Sequence, residues 1–346
     1  MRKKRIALIL LSILVIFSVG CREEQNGGDR KNQGFTESTR NEPLQKLKKY
    51  LPSKPIIRKP LLVKDIEVEN VSWMITCLEC DNAGNLYVGT RDNFKIYSSD
   101  LMLLKEIGKK GNNKGEFLEL CQIAVNANGD IVVADMEQKS IQVFDKNGTV
   151  KLMKRITLED FFDSLNYFDI DSQNIIYARS RWNLYKLDLD GNTLGTIDLK
   201  KFFYPAGSFL SYQAKIDYSG SNIYVLDSKK NREITKFTYN GSIIFHIIPQ
   251  KNYNTYEVTG FTLEIDEKEN IYFLLVKNEW PGPKEYAVIL KISIPEAVIE
   301  EFAVSRPGRN MGNFTIDRSG KYLFLMTYFF DKTLNKGRFF IEKYRI

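Results

Sequence analysis

A short pattern recurs six times along the 346-residue chain: apolar, any, apolar, acid or amide, a tight turn, then a second apolar run. It reads Leu78-Glu79-Cys80-Asp81 before Asn85-Leu86-Tyr87-Val88, and Ile123-Ala124-Val125-Asn126 before Asp130-Ile131-Val132-Val133. It returns as Phe168-Asp169-Ile170-Asp171, Ala214-Lys215-Ile216-Asp217, Leu263-Glu264-Ile265-Asp266 and Phe314-Thr315-Ile316-Asp317, each with its own second run. The polar residue opening that run falls at 85, 130, 174, 222, 270 and 321, in steps of 45, 44, 48, 48 and 51. A repeat of this length is one supersecondary unit that cannot bury its apolar faces alone. Alternation of period two, broken by turn residues, makes the unit a set of β-hairpins.

The fullest copy runs from Gly115 to Met153. It predicts four strands, Cys121–Asn126, Ile131–Asp135, Ile141–Asp145 and Thr149–Met153, with tight turns at Asn128-Gly129 and Asn147-Gly148. One such sheet has two apolar faces and two open edges, so it needs neighbours. Six of them set radially bury every face, which predicts an all-β, six-bladed β-propeller of four-stranded blades. The acid or amide at each first turn has a mechanical role, accepting backbone N–H groups two residues on. Outer hairpins follow in blades one to five, at Lys95–Ile107, Ile141–Met153, Leu184–Ile197, Ile234–Ile247 and Val288–Phe302. Blade six stops at its third strand, Arg338–Ile346. The unused strand Leu61–Val68 is expected to complete it, giving a propeller domain over 61–346.

Blade two resembles an NHL repeat. The resemblance rests on Gly115, Phe117, Ile123-Ala124-Val125, Gly129, Val133-Ala134-Asp135, Ile141-Gln142-Val143-Phe144-Asp145 and Gly148. Blade four matches again at Leu226-Asp227, Asn231-Arg232-Glu233-Ile234 and Gly241. The pattern departs at Leu120-Cys121-Gln122, where NHL repeats usually have Pro and Gly. The resemblance implies the propeller fold and leaves function open, because NHL propellers serve enzymes and binding proteins alike.

The front of the chain reads as an export signal. Arg2, Lys3, Lys4 and Arg5 precede the apolar run Ile6–Val19, and Ser18-Val19-Gly20-Cys21 resembles a bacterial lipobox. Residues 1–20 are thus expected as a signal peptide and Cys21 as the lipidated first residue, anchoring an otherwise soluble domain. Arg22-Glu23-Glu24 resembles the surface-export signal of Bacteroidota lipoproteins. The expected location is the outer membrane, surface-exposed or periplasm-facing. Residues 21–60 read as a tether rich in Asn, Gly and charge, with a short helix from Asn41 through Leu44, Leu47 and Leu51, then Pro52, Pro55 and Pro60.

Charge excludes one class of partner. Removing the four leader cations from 50 basic residues leaves 46 against 43 acidic ones, too mild and scattered for nucleic acid. The single histidine, His246 in a predicted outer strand, excludes a multi-histidine zinc centre and a Ser-His-Asp device. Cys77-x-x-Cys80 lacks the further ligands for structural zinc, while Cys77 and Cys121 on neighbouring inner strands are a candidate disulfide. The variable inner-strand position carries Glu79, Asp169 and Glu264 on alternate blades and Lys215 on a fourth. Six-bladed lactonases hold calcium on carboxylates in the channel, so these three acids are the alternative metal set, calcium the alternative cofactor and a lactonase-like hydrolase the alternative activity. The other reading is that they face neighbouring blades and pair with Lys215 or with backbone amides.

The expected binding face is the rim where loops between second and third strands meet those between blades. Its candidate residues are Arg91, Arg179, Arg181, Trp182, Tyr204, Trp280, Arg306 and Arg309. Guanidinium groups beside aromatic faces suit a protein, peptide or glycan partner. The leading expectation is therefore a binding or scaffolding module of the cell envelope, with no catalytic residues and no cofactor assigned.

Overall fold

A computed structural model describes residues 48–50 and 55–346, apart from 72–73, 157–166, 180–182, 199–211, 218–221, 228–233, 239–241, 249–255, 278–285, 294–297, 332 and 334–335. Residues Lys46–Ile346 form one compact unit. It is a six-bladed β-propeller, every blade an antiparallel meander running from the central channel outward. Blade one comprises Ile75–Cys80, Leu86–Thr90, Phe94–Tyr97 and Leu103–Ile107; blade two, Leu120–Val125, Ile131–Asp135, Ser140–Phe144 and Val150–Arg155. Blade three comprises Tyr167–Ile170, Ile176–Arg179, Asn183–Leu187 and Thr193–Asp198; blade four, Tyr212–Ile216, Asn222–Asp227, Ile234–Thr238 and Ile243–Ile248. Blade five comprises Tyr256–Ile265, Ile271–Lys277, Tyr286–Ser293 and Val298–Ser305. Blade six takes Asn310–Ile316, Tyr322–Asp331 and Lys336–Arg345 from the C-terminus and closes with Leu61–Glu67 from the front of the chain.

The turn chemistry follows the repeat. Asp81 Oδ1 accepts the backbone N–H of Ala83 and Asn85, while its Oδ2 accepts Asn85 Nδ2 and the Tyr87 hydroxyl. Asp266 makes the same set with Lys268, Asn270 and Tyr272, and Asp171 accepts the backbone N–H of Gln173 and Ile175 and the Tyr177 hydroxyl. A side-chain oxygen thus satisfies amides that a two-stranded turn leaves unpaired. Asn126 does the same in blade two, and its Nδ2 also donates to Asn174 Oδ1 of blade three at 2.6 Å.

Packing between blades is apolar. Second and third strands are buried on both faces because each blade is sandwiched between two others; Leu86–Thr90 and Ile131–Asp135 are buried throughout. Two of the NHL-like residues of blade two, Asp135 and Gln142, join Gln138 in seating the incoming segment 111–119. Asp135 accepts the N–H of Leu118 and Glu119, Gln142 accepts that of Gly115, and Gln138 donates to the carbonyls of Gly111 and Glu116. Phe117 is driven into an aromatic cluster with Phe94 and Phe144, centroids 6.2 and 6.0 Å away.

The segment expected to be a helix behaves differently where it is described. Lys48–Tyr50 is a strand, paired in parallel with Ile243–Ile248 on the outer edge of blade four, with Lys48 opposite His246. Ile56–Arg58 then pairs in parallel with Val298–Ser305 on the edge of blade five. The Leu44-Leu47-Leu51 spacing suggested one apolar helical face, but an open sheet edge offers backbone hydrogen bonds that a short isolated helix cannot match. The chain therefore straps the outer edges of blades four and five before closing blade six.

Candidate functional site

The central channel is lined by variable residues of the inner strands. Alternation along a strand sends such a side chain opposite to its apolar neighbours, so Glu79, Asp169, Lys215, Glu264 and Thr315 converge, while Ala124 packs into the core between blades two and three. Lys215 of blade four sits between the acids of its neighbours, its Nζ 3.3 Å from Asp169 Oδ2 and 3.2 Å from Glu264 Oε2. Across the channel, Glu79 Oε2 lies 3.8 Å from the same nitrogen. All four are largely buried. The three carboxylates converge as their spacing predicts, but on an ammonium supplied by the chain itself. Among the described residues, no group of three or more His, Cys, Asp or Glu has metal-binding geometry.

Three acids against one base leave excess negative charge in a desolvated site. Burial pushes the Glu79 carboxyl up to about 8; Lys215 opposes the shift, and Glu264 and Asp169 add to it. Burial likewise raises Glu264, against the pull of Lys215 and the Thr315 hydroxyl. Burial alone would lower Lys215, yet the surrounding carboxylates outweigh it and hold the ammonium well above its usual range. A cavity of about 30 Å³ adjoins the cluster, lined also by Thr76, Gln122, Phe168 and Asn313. That is room for one or two water-sized groups.

The rim candidates divide. Arg91 lies on the loop after the second strand of blade one, its side chain 41% exposed and 3.5 Å from Glu137. Its Nε donates to the Leu118 carbonyl of blade two. Arg179 ends the strand Ile176–Arg179 and is buried, not displayed on an open rim. Arg306 and Arg309 turn inward: Arg306 Nε and Arg309 Nη1 each donate to Glu342 Oε1 at 2.8 Å, and both guanidinium groups also reach Asp65 Oδ2. Glu342 is fully buried between these arginines, Thr327 and Tyr344. Phe340 stacks under Arg309, with 3.6 Å between guanidinium and ring centroid. A fully buried carboxylate outcompetes a ligand for these groups, and no local spacing announces it. Arg181, Trp182, Tyr204, Trp280 and Cys21 lie outside the described residues.

Among the described residues, Cys77, Cys80 and Cys121 are free thiols. Cys77 packs in the core between blades one and two, whereas Cys121 packs against the core between blades two and three. Their side chains serve opposite faces of blade two, which separates the candidate disulfide pair. Burial pushes the Cys77 thiol up to about 12, so it is an inert core residue.

No protein-family model matches the chain. Human tripartite motif-containing protein 2 is 41% identical over 49 residues, 14% of this chain and 7% of that protein. The B-box type zinc finger protein ncl-1 of Caenorhabditis elegans is 50% identical over 46 residues, 13% of this chain and 5% of that protein. The likeness thus spans about one repeat of this chain and a small fraction of either relative. Among solved structures, a Bacteroides fragilis protein has a TM-score of 0.52 at 11% identity, covering 85% of this chain and 99% of that one. Virginiamycin B lyase from Staphylococcus aureus has a TM-score of 0.52 at 10% identity, with 82% and 98% covered. U3-55K reaches 0.56 at 10% identity, with 82% and 99% covered. Identities this low establish a shared propeller fold alone.

Proposed function

We propose that this six-bladed propeller is an NHL-like binding or scaffolding module of the cell envelope, tethered through a lipid on Cys21. It engages a protein, peptide or glycan partner through the rim that carries Arg91. The observation supporting this reading is the closure of the channel acids on Lys215. Lys215 Nζ occupies the point where the carboxylates converge, so the ring does not present three open carboxylates to a cation. Arg91 stays accessible, its side chain 41% exposed, and a polar group on a rigid scaffold suits recognition. The calcium-dependent, lactonase-like alternative would need Lys215 to withdraw from Glu79, Asp169 and Glu264.

Site-specific photo-crosslinking in native envelopes tests the reading. Arg91 and the exposed Asn82 stand at opposite ends of the strand Leu86–Thr90. A crosslinker at position 91 is expected to give a discrete adduct that one at position 82 does not. Equal adducts from both positions would overturn the assignment of the rim. Calcium-dependent lactone hydrolysis by the purified chain would replace binding with the alternative activity.

A further inference from the structure

Large apolar side chains exposed to solvent are unevenly placed. Eight of the eleven among the described residues are Ile56, Ile57, Leu61, Leu62, Val63, Met102, Leu103 and Leu104. That concentration marks one stretch of the outer perimeter, where scattered exposure would need no explanation. The first five lie on the strap strand of blade five and the closing strand of blade six. The last three open the outer strand of blade one. The two groups are joined where Lys64 Nζ donates to the Asp100 carbonyl at 2.5 Å and Lys343 Nζ to that of Ser99.

Charge is equally biased. Residues 55–64, read Pro-Ile-Ile-Arg-Lys-Pro-Leu-Leu-Val-Lys, hold three basic residues and no acid. Lys105 adds an exposed cation beside Leu104. Acids further along the same strands are engaged elsewhere: Glu67 by Arg338, and Glu106 by Asn93 and Lys95. Arg58 is paired with Glu300 at 2.9 Å, while Lys59, Lys64 and Lys105 have no carboxylate partner among the described ion pairs. Apolar side chains interleaved with these lysines on an exposed edge match the surface of an anionic bilayer, where methylenes enter the headgroup boundary and lysines meet phosphates.

We propose that the perimeter formed by Ile56–Lys64 and Met102–Leu104 docks on an anionic lipid surface. The inference rests on the lipid-anchor reading for its place at a membrane, and adds to it a fixed orientation. Residues 22–47 separate Cys21 from the first described strand, a length of chain sufficient for this edge to reach the bilayer. Docking here sets the propeller on its side, with the channel axis along the membrane and the rim clear of it.

Hydrogen exchange of the full chain carrying Cys21→Ala provides the test, on vesicles of phosphatidylglycerol and phosphatidylcholine against phosphatidylcholine alone. Because the readout is local, membrane contact by the leader does not obscure it. Amides in 56–64 and 102–104 are expected to gain protection on anionic vesicles only. Ile57→Asp combined with Leu61→Asp should reduce that protection tenfold or more, with the fold retained because both side chains are exposed. Unchanged exchange in these segments on vesicle-bound protein overturns the proposal. So does equal protection without vesicles at high protein concentration, which identifies a second copy as the occupant. The anchor reading fails on separate grounds, through fatty-acid labelling that ignores Cys21, and that result leaves the exchange pattern interpretable.

Discussion

Arg306 Nη2 donates to Asp65 Oδ2 at 2.8 Å across 241 positions of sequence. The contact ties the approach to blade six to the strand that completes it. Arg306 also holds the buried Glu342 on the adjacent strand, so one guanidinium spans the seam where the ring closes.

Replacing both Arg306 and Arg309 by Ala should therefore act on stability. It leaves Glu342 charged, buried and uncompensated, a change that costs about 3–5 kcal/mol when a buried pair is broken. The single Arg306→Ala should cost less, about 1–2 kcal/mol, since Arg309 still reaches the same oxygen. Denaturant titration checks both. Full stability of the double variant would show that the seam does not depend on these pairs.

Truncation should reveal a graded seam. Deleting through Leu51 takes from the propeller only the edge strand Lys48–Tyr50 on blade four and should leave cooperative unfolding. Deleting through Val68 uncovers the third strand of blade six and the apolar face behind it, and should give aggregation. A cooperative monomer lacking 61–68, seen by light scattering and thermal melts, would sink the closure scheme.

At the channel centre, Lys215→Met should destabilise the ring by about 3–5 kcal/mol, because three acids then share a desolvated site without a cation. Adding Asp169→Asn and Glu264→Gln should recover most of that loss. If the triple variant melts no higher than Lys215→Met, the lysine acts through packing and not through charge.

Glu79 supplies a pH signature. Its folded-state value near 8 exceeds that of an unfolded glutamate, so the folded state holds the extra proton between them. The stability linked to that proton is fully present below the unfolded value, about 4.3, and is lost as pH rises through about 8. Glu79→Gln should flatten the fall in melting temperature from pH 5 to 9, and should melt above the native chain at pH 9. Parallel pH profiles for the two proteins would place the titration elsewhere.

Cys21→Ala should abolish incorporation of an alkyne fatty acid. Equal labelling of both forms removes the lipoprotein reading.

The sequence by itself determined the architecture, because period-two alternation, Asx-anchored turns and a spacing near 47 residues leave few ways to bury six hairpin sheets. Asp81, Asp171 and Asp266 hold the amides their positions predicted, and Leu61–Glu67 closes blade six as the strand count required. Even the meeting of Glu79, Asp169 and Glu264 was legible, since a ring converts equal repeat positions into neighbours. What those neighbours do was decided by tertiary structure alone. Whether three acids stay open or close on Lys215 depends on side-chain reach across a channel, and whether Arg306 faces solvent or Glu342 depends on a partner 36 positions away. The same holds for Lys48–Tyr50, whose local pattern suggested a helix until the unpaired edge of blade four claimed its backbone. Local periodicity encodes which face of a strand is buried; only the closed ring brings distant charges within a few ångströms, where desolvation decides their partners.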